Sequence, residues 1–287
     1  MNRLPRWFKQ ELPDKGNQSF YLKILRSLRL QTVCEGAYCP NLGKCFLKNS
    51  LTFMILGNIC TRNCGFCAIE KGRLLEPDNQ ESDKIGLVST LLGLKYVIIT
   101  SVTRDDLPDG GARQFYLTVK SIRQFNPAAK IEILIPDFND NFCALEIVVK
   151  SRPEVIGHNI DTIPRLYKKV KDINSNYKRS LDLLRRIKDI DDSIYTKSSL
   201  MLGLGETKNE VIDAMRDLRA VNCDILTIGQ YLSPSARHLK VERFILPEEF
   251  EDYKDIALSL GFKAVYSSPL VRSSYRAGEV FERCMMS

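Results

Sequence analysis

Residues 51–67 read LTFMILGNICTRNCGFC. A short apolar run at 51–56 has strand character, and a loop carrying three thiols follows it at once, Cys60-x3-Cys64-x2-Cys67. Downstream the same rhythm repeats, with short apolar runs alternating with longer amphipathic ones. Strands are expected at 51–56, 96–100, 131–135, 155–157, 198–202, 225–228 and 263–266. Helices are expected between them at 80–92, 111–124, 140–150, 178–188, 207–221 and 247–260. The 207–221 stretch opens on Thr207 and carries Glu210 three positions on, a reciprocal capping pattern. Strands and helices in this order predict parallel βαβ units with right-handed crossovers. Six or seven such units predict an α/β fold with a full or partial (β/α) barrel, its site at the C-terminal ends of the strands.

Three segments are expected around that body. Residues 1–50 form an extension, with a helix at about 19–31, a Gly-, Pro- and Asn-bearing loop after it and a boundary near Asn49. The barrel occupies 51–266, and a tail over 267–287 is expected to be irregular and to pack back on the body.

With 287 residues, 44% of them hydrophobic and 27% charged, the composition suits a soluble domain with a sizeable core. No run approaches the roughly 18–20 apolar residues of a membrane-spanning helix. The opening MNRLPRWFKQELP has no apolar core of the secretory kind, so a cytoplasmic location is the default expectation. The net charge of +7 is spread along the chain and favours acidic partners without choosing among nucleic acid, membrane and protein.

Nine cysteines stand out, six of them between Cys34 and Cys67. An odd count in a long chain without a secretory signal points to metal, not to disulfides. Cys60, Cys64 and Cys67 can ligate three irons of a cubane cluster and leave the fourth open to a small molecule. Zinc is the alternative for soft thiolates, but structural zinc takes four ligands, and neither His158 nor His238 is near in sequence. Upstream, Cys34-x4-Cys39-x5-Cys45 supplies a second set of three thiolates, again one ligand short.

The Cys60 triplet, with Phe66 before its last cysteine and a strand ahead of it, resembles the signature of radical S-adenosylmethionine enzymes. The resemblance implies that the open iron binds the amino and carboxyl groups of the methionine moiety and that a 5′-deoxyadenosyl radical is formed. The Cys34 triplet resembles the auxiliary-cluster motif of lipoyl synthases. That likeness extends through ITSVTRDDLPDGGA (99–112), HNIDTIPRLYKKV (158–170), MLGLGET (201–207) and QYLSPSARHLKVERFILPEEF (230–250) to VRSSYRAGE (271–279).

Membership of that family implies a partial (β/α)6 barrel of the TIM type with N- and C-terminal extensions. It implies two 4Fe–4S clusters, with S-adenosylmethionine on the first. Ser274, with Ser273 as second choice, is then the fourth ligand of the auxiliary cluster, and Arg272 is its neighbour. An alkoxide is harder than thiolate and should leave soft iron more easily, which suits a cluster consumed as a sulfur source. Thr100, Ser101, Asn159 and Asp161 become candidate contacts to S-adenosylmethionine. The reaction implied is insertion of two sulfur atoms into an octanoyl chain on a lysine of a carrier domain, of the dehydrogenase or glycine cleavage H type. Electrons would come from a ferredoxin or flavodoxin, with no nucleic-acid or membrane partner. The sequence departs from the family's usual pattern at TRNCGF and at Asp161, where glutamate is common.

Other readings share part of this evidence. A biotin synthase or methylthiotransferase would carry the Cys60 triplet without the Cys34 triplet and the RSSY tail. A zinc-stabilised nucleic-acid-binding protein would use the thiols and the charge, yet the sequence shows no aromatic-interleaved basic patch. A ferredoxin-like carrier would need fully ligated clusters. Asp105, Asp106, Asp109, Gly110 and Gly111 read as a polar turn that caps a helix, Gly203 and Gly205 as places where backbone could approach a ligand, and His238 as a satisfied loop histidine. Cys143, Cys223 and Cys284 read as structural.

Overall fold

The computed structural model describes residues 4–9, 15–48 and 50–286. One sheet of eight strands runs in sequence order. Its parallel body comprises β2 (Thr52–Ile55), β3 (Tyr96–Ser101), β4 (Lys130–Leu134), β5 (Val155–Gly157), β6 (Tyr195–Leu202), β7 (Ile225–Gln230) and β8 (Ala264–Ser267). All residues of β2, β5 and β7 are buried, as expected of parallel strands covered on both faces, which have no polar side to alternate with. The helices α4 (Glu81–Leu91), α5 (Ala112–Phe125), α6 (Phe142–Val149), α8 (Tyr177–Ile190), α9 (Lys208–Ala220) and α10 (Pro247–Ser259) supply the crossovers, with the short α7 (Tyr167–Val170) after β5. The capping box on α9 forms as expected, Thr207 accepting from the Glu210 backbone and Glu210 reaching back. Among the described residues, no helix is long and apolar enough to cross a membrane.

The sheet curls until distant strands meet. Tyr96 of β3 and Tyr195 of β6 pack against one ring, that of Phe281, at centroid distances of 5.7 and 5.8 Å. At the other end of the strands, His238 after β7 meets the Cys67 carbonyl after β2 at 3.2 Å. In a flat sheet strands five places apart would lie about 24 Å from each other. The strand ends therefore form a ring of loops, and that ring holds Cys60, Cys64 and Cys67.

Three expectations need correction. The tail is not irregular, because α11 (Ala277–Met286) ends it. Val280, Phe281 and Cys284 of this helix are buried with Val155, Ile225 and Ala264, the first residues of β5, β7 and β8. Fully burying a side chain such as Phe281 contributes about 1.5–3 kcal/mol, which is why so short a segment stays folded onto the body. The cysteine-bearing stretch of the extension is partly helical, α2 (Val33–Gly36) and α3 (Leu42–Leu47), not a plain loop. Thr32 caps α2 by accepting from the Glu35 N–H, a signal that Gly, Pro and Asn nearby obscured. The helix expected at 19–31 is α1 (Lys15–Ser27). It stops at a left-handed Arg29 (φ 57°), with Leu30 N–H closing back on the Leu25 carbonyl, so that β1 (Gln31–Thr32) can pair antiparallel with β2. The boundary expected near Asn49 lies outside the described residues.

Candidate active site

Leu56 (φ 67°) and Gly57 (φ 85°) turn the chain sharply as it leaves β2. Residues 60–70 then close into a loop, with Cys60 N–H on the Glu70 carbonyl at 3.0 Å. The deepest fastening is Arg62, whose side chain is 7% exposed. It donates to Asp105 Oδ2 at 2.9 Å, to Asp137 Oδ1 at 2.6 Å and to Asn139 Oδ1 at 2.8 Å. These partners follow β3 and β4, so one guanidinium ties the thiol loop to two further strand ends. Burial alone would push the Asp137 carboxyl up, but the bonds and charge of Arg62 outweigh it and hold Asp137 down at about 2. Phe138, Asn139 and Asp140 are all left-handed, at φ 48°, 51° and 62°. Asn139 and Asp140 are held there by Arg62 and by Arg179, which donates to Asp140 Oδ2 at 2.9 Å.

A second fastening comes from beyond β5. Asp172 Oδ2 accepts the Asn63 N–H at 2.7 Å, and the Asp172 N–H points at Cys64 Sγ at 3.3 Å. Lys171 donates to Asp161 Oδ2 at 2.5 Å and to the Asn159 carbonyl at 3.2 Å. Burial works against the Lys171 charge, yet Asp161 more than restores it, so the ammonium persists far above neutral pH. Burial pushes the Cys64 thiol up to about 11 against the attraction of Lys171. The expected pair Asn159 and Asp161 is thus brought to the Cys64 side of the loop. Ser101 Oγ, Asn159 Oδ1 and Thr162 Oγ1, at or just after the ends of β3 and β5, are buried and have no hydrogen-bond partner among the described residues, polar atoms of the kind a bound ligand satisfies. Thr100 spends its hydroxyl on the Leu134 carbonyl at 3.0 Å.

The second triplet lies in α2, α3 and the turn between them. Cys34 is buried, and Cys39 and Cys45 are half-buried. Burial and the neighbouring thiols push Cys34 and Cys45 up to about 12. Cys39 is raised by burial and drawn back by its nearness to Arg272. The tail reaches this loop by a close crossing. A Cβ on Gly229 in β7 would fall 2.0 Å from the Val271 carbonyl oxygen, so only glycine lets the tail pass. Asn41 then donates to the Leu270 carbonyl at 2.6 Å. Arg272 and Tyr275 bracket a turn closed by Tyr275 N–H on the Arg272 carbonyl, with Ser273 and Ser274 as its central residues. Tyr275 stacks on Tyr266 at 5.9 Å and is an electrostatic neighbour of Cys45.

The segments that carry the two triplets touch along one edge. A Cβ on Gly36 would lie 3.0 Å from Ile69 Cδ1, and a cleft of about 540 Å³ is lined by Gly36 and Tyr38 on one side and Ala68 and Ile69 on the other. Within each triplet the thiols perturb one another, Cys39 and Cys45 acting on Cys34, and Cys67 on Cys64. Among the described residues, no three His, Cys, Asp or Glu side chains are drawn in around a single-ion position.

Of the other residues singled out, Asp109 caps α5 by accepting from Gly111 and Arg113 N–H, Asp106 pairs with Arg104 at 2.7 Å, and Asp105 serves Arg62. His238 has both ring nitrogens partnered, Nδ1 to Ser235 Oγ and Nε2 to the Cys67 carbonyl. Gly203 (φ 95°) faces Gln230 Nε2 and the Arg243 carbonyl, so the close approach there is to protein instead of ligand space. Cys223 and Cys284 are buried, whereas Cys143 is exposed and supports no core. Sequence reasoning missed Arg62, Asp137, Lys171, Asp172, Asn41 and Gly229. Only Arg62 and Asn41, lying between the cysteines, offered a local signal.

Residues 54–218 match the family model described as the radical SAM superfamily. The chain is 51% identical over 277 residues to the lipoyl synthase of Caldicellulosiruptor saccharolyticus, covering 96% of each chain. It is 51% identical over 257 residues to the lipoyl synthase of Aquifex aeolicus, covering 90% of this chain and 93% of that one. Among solved structures, Streptococcus suis SuiB bound to S-adenosylmethionine superposes with a TM-score of 0.57 at 14% identity, over 84% of this chain and 57% of SuiB. Methylornithine synthase matches with a TM-score of 0.50 at 15% identity, over 98% and 90%. These two likenesses concern the fold.

Proposed function

The chain belongs to the lipoyl synthase family of radical S-adenosylmethionine enzymes, and from that membership we infer that its two cysteine loops hold separate iron–sulfur clusters serving one sulfur-inserting reaction. The substrate is an octanoyl chain in amide linkage to a lysine of a carrier domain, and the product is the lipoyl group. When bound, the two clusters and S-adenosylmethionine supply a carbon-centred oxidant and the sulfur to be transferred.

The observation that carries this reading is the pairing of two triplets, each with mutually perturbing thiols, across the edge where Gly36 meets Ile69. The donors fit the cofactors. Each loop offers three soft thiols and no fourth, and the raised thiols would release their protons to a metal. Cys60, Cys64 and Cys67 would hold the first cluster, with Arg62 and Asp172 orienting their loop. Ser101 and Asn159, orphaned and buried, would satisfy S-adenosylmethionine, while Asp161 and Lys171 fix the floor beside Cys64. Cys34, Cys39 and Cys45 would hold the second cluster, with Ser274, or Ser273 beside it, as fourth ligand. Arg272, already drawn to Cys39, would steady the charge of that serine oxygen. Nine cysteines with no disulfide among the described residues suit a reducing, cytoplasmic setting.

Mass spectrometry of an octanoylated carrier peptide after reductive turnover tests the reaction, with a gain of two sulfur atoms expected. Replacing Cys60, Cys64 and Cys67 by Ala should abolish cleavage of S-adenosylmethionine. Replacing Cys34, Cys39 and Cys45 should leave that cleavage measurable and stop sulfur gain. Equal loss of cleavage in both sets would refute the division of labour.

A further inference from the structure

The Gly65 stretch of the Cys60–Cys67 loop is walled by two segments. Gly65 donates its N–H to the Val170 carbonyl at 2.9 Å and accepts from the Leu239 N–H at 3.1 Å. A Cβ on Gly65 would touch Leu239 at 3.1 Å and the Lys169 carbonyl oxygen at 3.4 Å. Both walls present cations outward, for Lys168, Lys169, Arg237 and Lys240 are all exposed. Among the described residues their one ion pair, Lys169 with Glu242 at 3.5 Å, joins side chains that are each more than half exposed, so it neutralises little. Next to this collar Ile173 is 80% exposed, one residue from the Asp172 N–H that points at Cys64 Sγ.

We propose that this collar of four cations, with Ile173, is the docking face for an acidic one-electron carrier protein that reduces the cluster of the first triplet. The proposal rests on the reading of that triplet given above. Two features select this occupant. The collar abuts the Cys64–Gly65 edge of the loop through a single layer of backbone, a short path for an electron. The octanoyl substrate must reach both triplets, and therefore the side where Ile69 faces Gly36. Each cleavage of S-adenosylmethionine takes up one electron, so the docked carrier is oxidised by one electron each time it serves. Opposed charges would steer its approach and make association salt-dependent.

The test is the cluster-loaded full chain carrying Lys168→Glu, Lys169→Glu, Arg237→Glu and Lys240→Glu, titrated calorimetrically with a purified flavodoxin. Flavodoxin affinity should fall by about tenfold or more and lose most of its salt dependence. Cleavage of S-adenosylmethionine driven by dithionite should stay within about twofold of the unaltered chain, since small reductants need no docking face. Unchanged flavodoxin affinity would overturn the proposal. So would weakened binding of an octanoylated carrier domain with flavodoxin binding intact, because the face would then belong to the substrate. No dithionite-driven cleavage in the unaltered chain would instead remove the reading of the triplet on which the docking face rests.

Discussion

The loop of Cys60, Cys64 and Cys67 is fastened by charge buried between strand ends, whereas that of Cys34, Cys39 and Cys45 is fastened by a neutral hydrogen bond and an exposed ion pair to a tail 229 residues away in sequence. Arg62, Asp137 and Asp172 surround the first loop with charge-assisted bonds between 2.6 and 2.9 Å. The second is joined to the tail by one hydrogen bond from the Asn41 amide and by an exposed pair of Lys48 with Glu279 at 3.0 Å. Buried charges are costly to desolvate and so define one geometry steeply once paired, while exposed pairs and neutral bonds define it shallowly. A loop that serves unchanged through many turnovers benefits from the first kind of anchor. Under the function proposed above, in which the second cluster is consumed and its fourth ligand comes from the tail, the second loop would benefit from the other kind.

The largest expected effect comes from breaking the charged anchor. Arg62→Met leaves Asp137 short of its main partner and should destabilise the fold by about 3–5 kcal/mol. Iron retained by the Cys60 triplet should fall while iron on the Cys34 triplet persists, as read in variants lacking the other set of cysteines. Equal iron loss from both triplets would erase the contrast.

Acid gives the next effect, and it should act on the same half of the molecule. Burial, reinforced by the nearby Lys171, pushes His158 down to about 4. His158 is bonded to the Ile135 carbonyl and to Ser180 Oγ. An unfolded histidine titrates near 6.5, so the unfolded state takes up the proton first. Stability is then full above about pH 6.5 and should fall by about 3 kcal/mol as pH drops toward 4. Thermal unfolding across that window checks it, and His158→Gln should flatten the slope. Asp137, held at about 2 in the folded chain, adds its own loss of stability mainly below about pH 4, where unfolded carboxylates take up protons.

The smallest effect strikes the second loop. Gly229→Ala forces the Val271 carbonyl away, at a cost of about 1–3 kcal/mol. Sulfur transfer should drop more than tenfold while cleavage of S-adenosylmethionine is kept, an order-of-magnitude expectation for a ligand displaced by about 1 Å. Loss of cleavage in step with transfer would show that the tail serves both loops.

How well each half could be read from residues follows the same division. Seven parallel strands and six crossover helices were legible because each is a local run, short and largely apolar or periodic over longer stretches. Both triplets were legible because their thiols lie on short stretches of chain. The α11 helix was not, since its apolar face is short and finds its partners only where the strand beginnings converge. Nor was β1, two residues long, which exists only because β2 offers an edge.

By itself, the sequence determined the order of strands and helices, the two sets of three thiols and the family they belong to. Those properties are written in neighbouring residues. Tertiary structure alone decided that Arg62 would be caged by Asp105 and Asp137, that Lys171 would stand beside Cys64, and that the Arg272–Tyr275 turn would cross Gly229 to reach Cys39 and Cys45. Each of these joins residues tens to hundreds of positions apart. No local pattern encodes such a meeting, because it depends on the curl of the sheet that carries the strand ends together.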